Sequence, residues 1–296
     1  MALDELITEA RAERPDYDLS STAELVALMN REDATVPAAV AAIAAELAAA
    51  IDAVVERLRG GGRLVYAGAG SSGQIAALDA GECEATFSTE PGQVVALVAG
   101  AGLESAEERE AAEDDAQAGR RAVEELGVSK RDAVAGVSAS GRTPYTVAAL
   151  EAARTAGALT IAVVATRDSK LAGLADHELA AVVGPEVVAG STRLKAGTAQ
   201  KLVLNTISTV AMIRLGKTYG DLMVDVRASN EKLAARARRI VSGATGVTDD
   251  EAAAALEAAD GSAKVAIVSL LARTDAAGAR RRLEQAGGSI RSALEQ

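Results

Sequence analysis

Residues 64–80 read LVYAGAGSSGQIAALDA. Apolar Leu64 to Ala67 run into Gly68-Ala69-Gly70-Ser71-Ser72-Gly73, and a stretch of helix-forming composition follows. A short apolar strand, a glycine turn and a helix start together open a parallel α/β sheet. The glycines fit G-x-G-x-x-G, the spacing of a dinucleotide-binding turn, but serines stand at positions where a dinucleotide site needs none. Such a site also requires an Asp or Glu about twenty residues on, at the end of the second strand, to hold the ribose hydroxyls. Here that strand ends in Leu97-Val98-Ala99-Gly100-Ala101-Gly102, and the first acid beyond it is Glu104, already in the next helix. Without the ribose anchor the loop reads as a site for one phosphate. Small residues let the backbone approach, a helix N-terminus supplies free N–H groups and a positive dipole end, and Ser71 and Ser72 add hydroxyl donors.

Working outward, apolar runs recur at 93–99 (QVVALVA), 132–138 (DAVAGVS), 158–165 (ALTIAVVA) and 177–183 (HELAAVV), separated by helical patterns. This predicts an α/β fold, a doubly wound five-stranded parallel sheet. The acidic run 104–126 reads as one helix, and 197–216 as a long apolar helix ending at Gly216. The first helix after the glycine loop is expected to run from Ser71 or Ser72 towards Glu82. A second loop, Ser138-Ala139-Ser140-Gly141-Arg142-Thr143-Pro144, follows the third strand, with Pro144 suited to a first helical turn. In strand order 2-1-3-4-5 the first and third strands are neighbours at the switch point, where ligands bind beyond the carboxyl ends of the strands. Both serine-rich loops then face one crevice. Upstream, Ser21 with Glu24 forms a capping box, and Val40, Ile43, Leu47, Ile51, Val54, Val55 and Leu58 mark a helix stopped by Gly60-Gly61-Gly62. Two domains are expected: 1–246, the sheet domain with a helical N-terminal arm, and 247–296, a small helical module.

The chain has 296 residues and a formal net charge of −11, which leaves no excess of cations for a nucleic-acid or anionic-membrane partner. Any anionic ligand must therefore be held by local positive groups. No stretch of about 18 uncharged apolar residues occurs, so no membrane span is expected. The acidic beginning, MALDELITEARAERPDYD, lacks the apolar centre of a signal peptide, and Cys83 is the sole cysteine. A cytoplasmic location is the expectation. Aromatics make up only 2%, so Ala, Val, Leu and Ile must form the core. Lone His177 and Cys83 offer no metal ligand set and no nucleophile–base pair, and no metal or cofactor is expected.

The two loops on a five-stranded parallel sheet resemble the sugar isomerase (SIS) phosphosugar-binding domain. The resemblance extends further. YAGAGSSGQIAALDAGEC, SASGRTPYTVAALEAA, GSTRLKAGTAQKLVLNTIST and GDLMVDVRASNEKL are similar to segments of the N-acetylmuramic acid 6-phosphate etherases, relatives of the glucokinase regulatory protein. The helical tail resembles the ubiquitin-associated-like module of those chains. The resemblance implies a metal-free homodimeric lyase that cleaves the D-lactyl ether of N-acetylmuramic acid 6-phosphate to N-acetylglucosamine 6-phosphate and D-lactate. It carries the two catalytic carboxylates onto Glu82, as the acid protonating lactate, and Glu113, as the base.

Phosphate is assigned to Ser71, Ser72, Ser138, Ser140 and Thr143, with Gly141 and Arg142 completing the second loop. Lys195 is the expected partner of the lactyl carboxylate. Arg193, Ser191, Thr192 and Thr198 stand nearby in sequence. One difficulty is geometric: in an unbroken helix Glu82 sits about 15 Å beyond Ser72. Either the helix breaks at Gly81, or the site is built across a dimer interface. The chain departs from the family pattern at Gln74, Gly81, Glu84-Ala85 and Ala165-Thr166-Arg167-Asp168. A non-catalytic sugar-phosphate-binding regulator and an SIS-type sugar-phosphate isomerase are the alternatives, which release of D-lactate separates from an etherase.

Overall fold

The computed structural model describes residues 7–11, 16–225 and 231–296, with the side chain of Lys232 excepted. They divide into two compact units: Met1–Gly81 with Gly92–Ser208, and Glu82–Pro91 with Thr209–Gln296.

In the first unit, helices α1 (Thr22–Asp33), α2 (Val36–Ala41) and α3 (Ala44–Arg59) lead to strand β1 (Leu64–Gly68). The Ser21–Glu24 capping box is formed. The apolar stripe read from the sequence is split between α2 and α3, and Leu47, Ile51, Val54, Val55 and Leu58 are buried on one face of α3. There follow α4 (Gly70–Phe87), β2 (Val94–Val98), α5 (Ala106–Glu113), α6 (Ala116–Glu125), β3 (Ala133–Val137), α7 (Pro144–Thr155), β4 (Leu159–Val164), β5 (His177–Ala180) and α8 (Lys195–Arg214). The sheet is parallel, in order β2-β1-β3-β4-β5. β1, β3 and β4 are buried along their whole length, as expected of central strands covered on both faces. Val65, Ala67, Val134, Ala149, Leu150, Ala162 and Val164 share one core, and the alanines let helices lie close to the sheet.

The run 104–126 is not one helix. It breaks at Asp114-Asp115, and the Asp115 side chain accepts from the Ala118 N–H at 2.9 Å, starting α6 anew. A short acceptor next to free N–H groups competes with continuing the helix. The break makes Glu113 the last residue of α5.

Asp132 ties the starts of β1 and β3 together. Its Oδ1 accepts from Arg63 N at 2.9 Å and Nε at 3.1 Å, and its Oδ2 from Arg63 Nη2 at 3.0 Å and Ser129 N at 2.8 Å. Burial raises this carboxyl's pKa, but the bonds from Arg63 and Ser129 together outweigh it, and the group lies below the ordinary carboxylate range. A lowered folded-state pKa contributes stability that is complete above the unfolded value and lost as pH falls through the folded one. Asp132→Asn should therefore cost about 1.5–3 kcal/mol at neutral pH. The difference from wild type should shrink as pH falls below the ordinary carboxylate range, as urea unfolding at neutral and at acid pH will show.

The second unit contains a small hairpin, β6 (Thr218–Tyr219) and β7 (Leu222–Met223), turning at Gly220 with φ +61°. Helices α9 (Glu231–Thr245), α10 (Asp249–Ala258), α11 (Ala263–Leu271), α12 (Ala276–Gln285) and α13 (Ile290–Leu294) follow. The tail beyond residue 246 does not have a core to itself. Val224, Ala237 and Val241 are buried in the same cluster as Ala252, Ala266, Ile267 and Leu283, with Tyr219, Leu222 and Met223 against it. Lys264 and Lys217 both pair with Asp225, at 2.8 and 3.0 Å. Among the described residues no single helix is long and apolar enough to cross a membrane.

Candidate active site

The site is built where β1 and β3 end side by side. Gly68 is in register with Val137 of β3 and Val98 of β2, so the loops leaving these strands emerge at one rim of the sheet. The glycines serve close packing. A Cβ on Gly68 would lie 3.0 Å from Gly73 N, and one on Gly73 would lie 2.8 Å from Val98 Cγ1. Gly70 begins α4 at φ +50°, a conformation that disfavours a side chain.

Ser71 is exposed at the start of α4. Ser72 is half-buried, and its Oγ donates to Gln200 Oε1 at 3.0 Å. In the second loop the Ser138 hydroxyl accepts from Gly141 N at 3.1 Å and shares a hydrogen bond with Thr143 Oγ1 at 2.9 Å. Ser140 Oγ accepts from Arg142 N at 3.3 Å. Gly141 turns at φ +63° against Ser169 of the loop after β4. Thr143 makes no side-chain cap to α7, which begins at Pro144. Among the described residues Arg142 Nη1 is buried without a hydrogen-bond partner.

Glu113 comes to this rim. The last turn of α5 packs Ala112 against Ala69 and Ala99, and a Cβ on Gly70 would lie 2.5 Å from Glu113 Oε1. The carboxylate therefore lies against the first turn of the phosphate loop. Burial, then the neighbouring charges of Asp114 and Glu110, push its pKa above the ordinary glutamate value. The acidic helix surface on which the sequence set Glu113 gives no hint of this contact.

Glu82 is exposed, on the part of α4 that belongs to the second unit. The helix runs without interruption from Gly70 through Gly81 to Phe87, so the early break at Gly81 does not occur. Ten helical residues beyond Ser72 amount to a rise of about 15 Å.

Lys195 departs from its expected role. Its side chain is only 4% exposed and its Nζ is paired with Glu32 Oε2 of α1 at 2.8 Å. An ammonium committed to a half-buried ion pair is a poor partner for a substrate carboxylate, and Lys195 fastens α1 to α8. The N-terminus of α8 is filled as well: buried Glu186 accepts from Lys195 N at 3.0 Å and Ala196 N at 2.9 Å. Thr198 Oγ1 is turned back onto the Leu194 carbonyl.

Two residues were not singled out in the sequence. Asp79, buried in α4, accepts from Tyr66 Oη at 2.8 Å, Asn205 Nδ2 at 2.5 Å and Ser208 Oγ at 3.0 Å, locking α4 to β1 and α8. Gln200 reaches Ser72 from α8. Their only sequence signal is a polar residue on a helix otherwise apolar enough to be buried.

Two serine-rich turns at the switch point of a 2-1-3-4-5 sheet define a protein of the phosphosugar-binding SIS class. A model of the SIS domain matches residues 122–209, and one of the glucokinase regulatory protein N-terminal SIS domain matches residues 46–154. The phosphoheptose isomerase of Neisseria gonorrhoeae shares the fold, with a TM-score of 0.51 at 19% identity over 64% of this chain and 98% of that one. N-acetylmuramic acid 6-phosphate etherases are far more similar. The protein of that name from Rubrobacter xylanophilus is 58% identical over 99% of this chain and 97% of its own length. Those of Mycolicibacterium smegmatis and Escherichia coli are 50% and 46% identical over 99% and 100% of this chain. The chain belongs to the N-acetylmuramic acid 6-phosphate etherase family.

Proposed function

We infer that the chain cleaves the D-lactyl ether of N-acetylmuramic acid 6-phosphate, giving N-acetylglucosamine 6-phosphate and D-lactate. The observation that carries this reading is the near full-length identity of 58% to a named etherase. A half-buried carboxylate beside the phosphate loop supports it.

The phosphate sits on the Ser71, Ser72, Ser138, Ser140 and Thr143 hydroxyls and the N–H groups of the two helix starts, with the Arg142 guanidinium as counter-charge. In the open-chain sugar the proton on C2 is acidified by the neighbouring aldehyde. Glu113 removes it. A carbon–carbon double bond forms between C2 and C3 as the C3–O bond breaks, and Glu82 protonates the departing lactyl oxygen. Water then adds at C3, its proton returns to C2, and N-acetylglucosamine 6-phosphate results. A base works best with its pKa near the working pH, and the raised pKa of Glu113 suits that role.

The unbroken α4 favours a homodimer in which Glu82 of one copy serves the loops of the other. The exposed Ala77, Leu78 and Ala85 beside Glu82 give such a contact apolar surface, with Leu78 58% exposed. We place the reaction in the cytoplasm, where sugar phosphates are retained.

Release of D-lactate from N-acetylmuramic acid 6-phosphate by the purified protein tests the reaction. No lactate at high enzyme concentration would overturn it. The match of residues 46–154 to a regulatory SIS domain would then favour a sugar-phosphate sensor. Mixing inactive Glu82→Ala and Glu113→Ala proteins tests the dimer. A shared site regains partial activity in mixed dimers, because one of their two sites keeps both carboxylates. A site within one chain regains none.

A further inference from the structure

The amide of Gln200 is only half satisfied. The residue is 3% exposed, its Oε1 takes the Ser72 proton at 3.0 Å, and its Nε2 is buried with no hydrogen-bond partner among the described residues. A buried N–H2 without an acceptor is costly and rare in a folded protein. Nε2 and Oε1 are bonded to one carbon, so a 180° turn of the amide exchanges their places and brings Nε2 to the Ser72 hydroxyl.

Ser72 has a single proton. While it goes to Oε1, the hydroxyl cannot donate to anything bound at the start of α4. With the amide turned by 180° about its last torsion, Nε2 donates to Ser72 Oγ and the hydroxyl proton is directed elsewhere. That second arrangement needs an acceptor for the proton, and an anionic phosphate oxygen is a strong one. We propose that Gln200 is a positioning residue for Ser72: it holds the Ser72 proton in the free protein, and its amide reverses when phosphate binds, so that Ser72 donates to the phosphate. The proposal rests on the functional reading only for the identity of the sugar, since the exchange itself requires only a phosphate group.

The test is a double-substitution cycle at positions 72 and 200, read by calorimetric titration of N-acetylglucosamine 6-phosphate and, separately, inorganic phosphate. A glutamate at 200 accepts only and keeps the Ser72 proton. Gln200→Glu is expected to weaken binding of either anion about tenfold or more, and most of that loss should vanish in the Ser72→Ala background, where no proton is left to misdirect. An equal loss in both backgrounds means mere charge or packing and overturns the proposal, as does unchanged affinity. Should Gln200→Glu fold poorly, Gln200→Met gives the same cycle. The penalty of Ser72→Ala should be smaller with Met than with Gln at 200, and an unchanged penalty overturns the proposal. A wild-type protein that binds inorganic phosphate but neither binds N-acetylglucosamine 6-phosphate nor releases lactate overturns the functional reading alone. Binding of neither anion overturns both.

Discussion

Glu113→Gln lowers D-lactate release a hundred- to ten-thousandfold, the range for loss of a general base, while N-acetylglucosamine 6-phosphate continues to bind. The amide keeps the size and burial of the carboxyl and so preserves the packing against Gly70. What it loses is the ability to take the C2 proton. The pH profile supplies a second check. A base must be deprotonated to act, so kcat/KM falls as pH drops through its pKa. Because burial and then Asp114 and Glu110 raise the Glu113 pKa, the acid limb should lie above the pH of an ordinary glutamate. Asp114→Asn removes one of the lesser contributors and should move the limb part of the way down. A limb that stays put in Asp114→Asn, or a Glu113→Gln enzyme with full turnover, would rule out this role.

Gly119→Ala destabilises the protein by about 3 kcal/mol, the upper part of the range for overpacking. Gly119 lies in α6 where that helix meets α7, and a Cβ there would overlap the backbone carbonyl of Tyr145. A flexible side chain could swing aside, but a carbonyl at the start of α7 cannot move without the helix. α7 carries the second phosphate loop at its N-terminus, so the strain should also weaken phosphosugar binding. Thermal unfolding should show the midpoint lower by roughly 6–12 °C, at 2–4 °C per kcal/mol for a domain of this size. A midpoint within a degree or two of wild type would mean that the two helices separate easily.

The strands, the glycine turn and the second serine loop were legible because each is local. A buried parallel strand is a short run of Val, Leu, Ile and Ala, and a turn against a phosphate needs small residues at set spacing. The expectation that Ser71, Ser72, Ser138, Ser140 and Thr143 hold the phosphate rests on the same local pattern. The break at Asp114-Asp115 was harder to see, because an acidic run rich in alanine satisfies helix propensity throughout and only the Asp115 cap interrupts it. The hairpin at Thr218–Met223 has strands of two residues, too short for any alternation to register.

Lys195 shows the limit most plainly. A lysine in a segment rich in hydroxyls, in an acidic protein that must hold an anion, reads as a ligand. Its partner, Glu32, lies 163 residues away in sequence. Gln200 and Ser72, 128 residues apart, are the reverse case, a contact beside the site that no local pattern announces.

By itself the sequence determined the class of sheet, its switch point and the preference for one phosphate over a dinucleotide, because these follow from residue size, hydrogen-bonding groups and periodicity along a few consecutive positions. Only the tertiary structure decided which charges are paired or packed within the protein. It set Glu113 against Gly70, paired Lys195 with Glu32 and carried α4 unbroken past Gly81. Electrostatic partners are chosen by distance in space, and the distances that matter here join residues far apart along the chain.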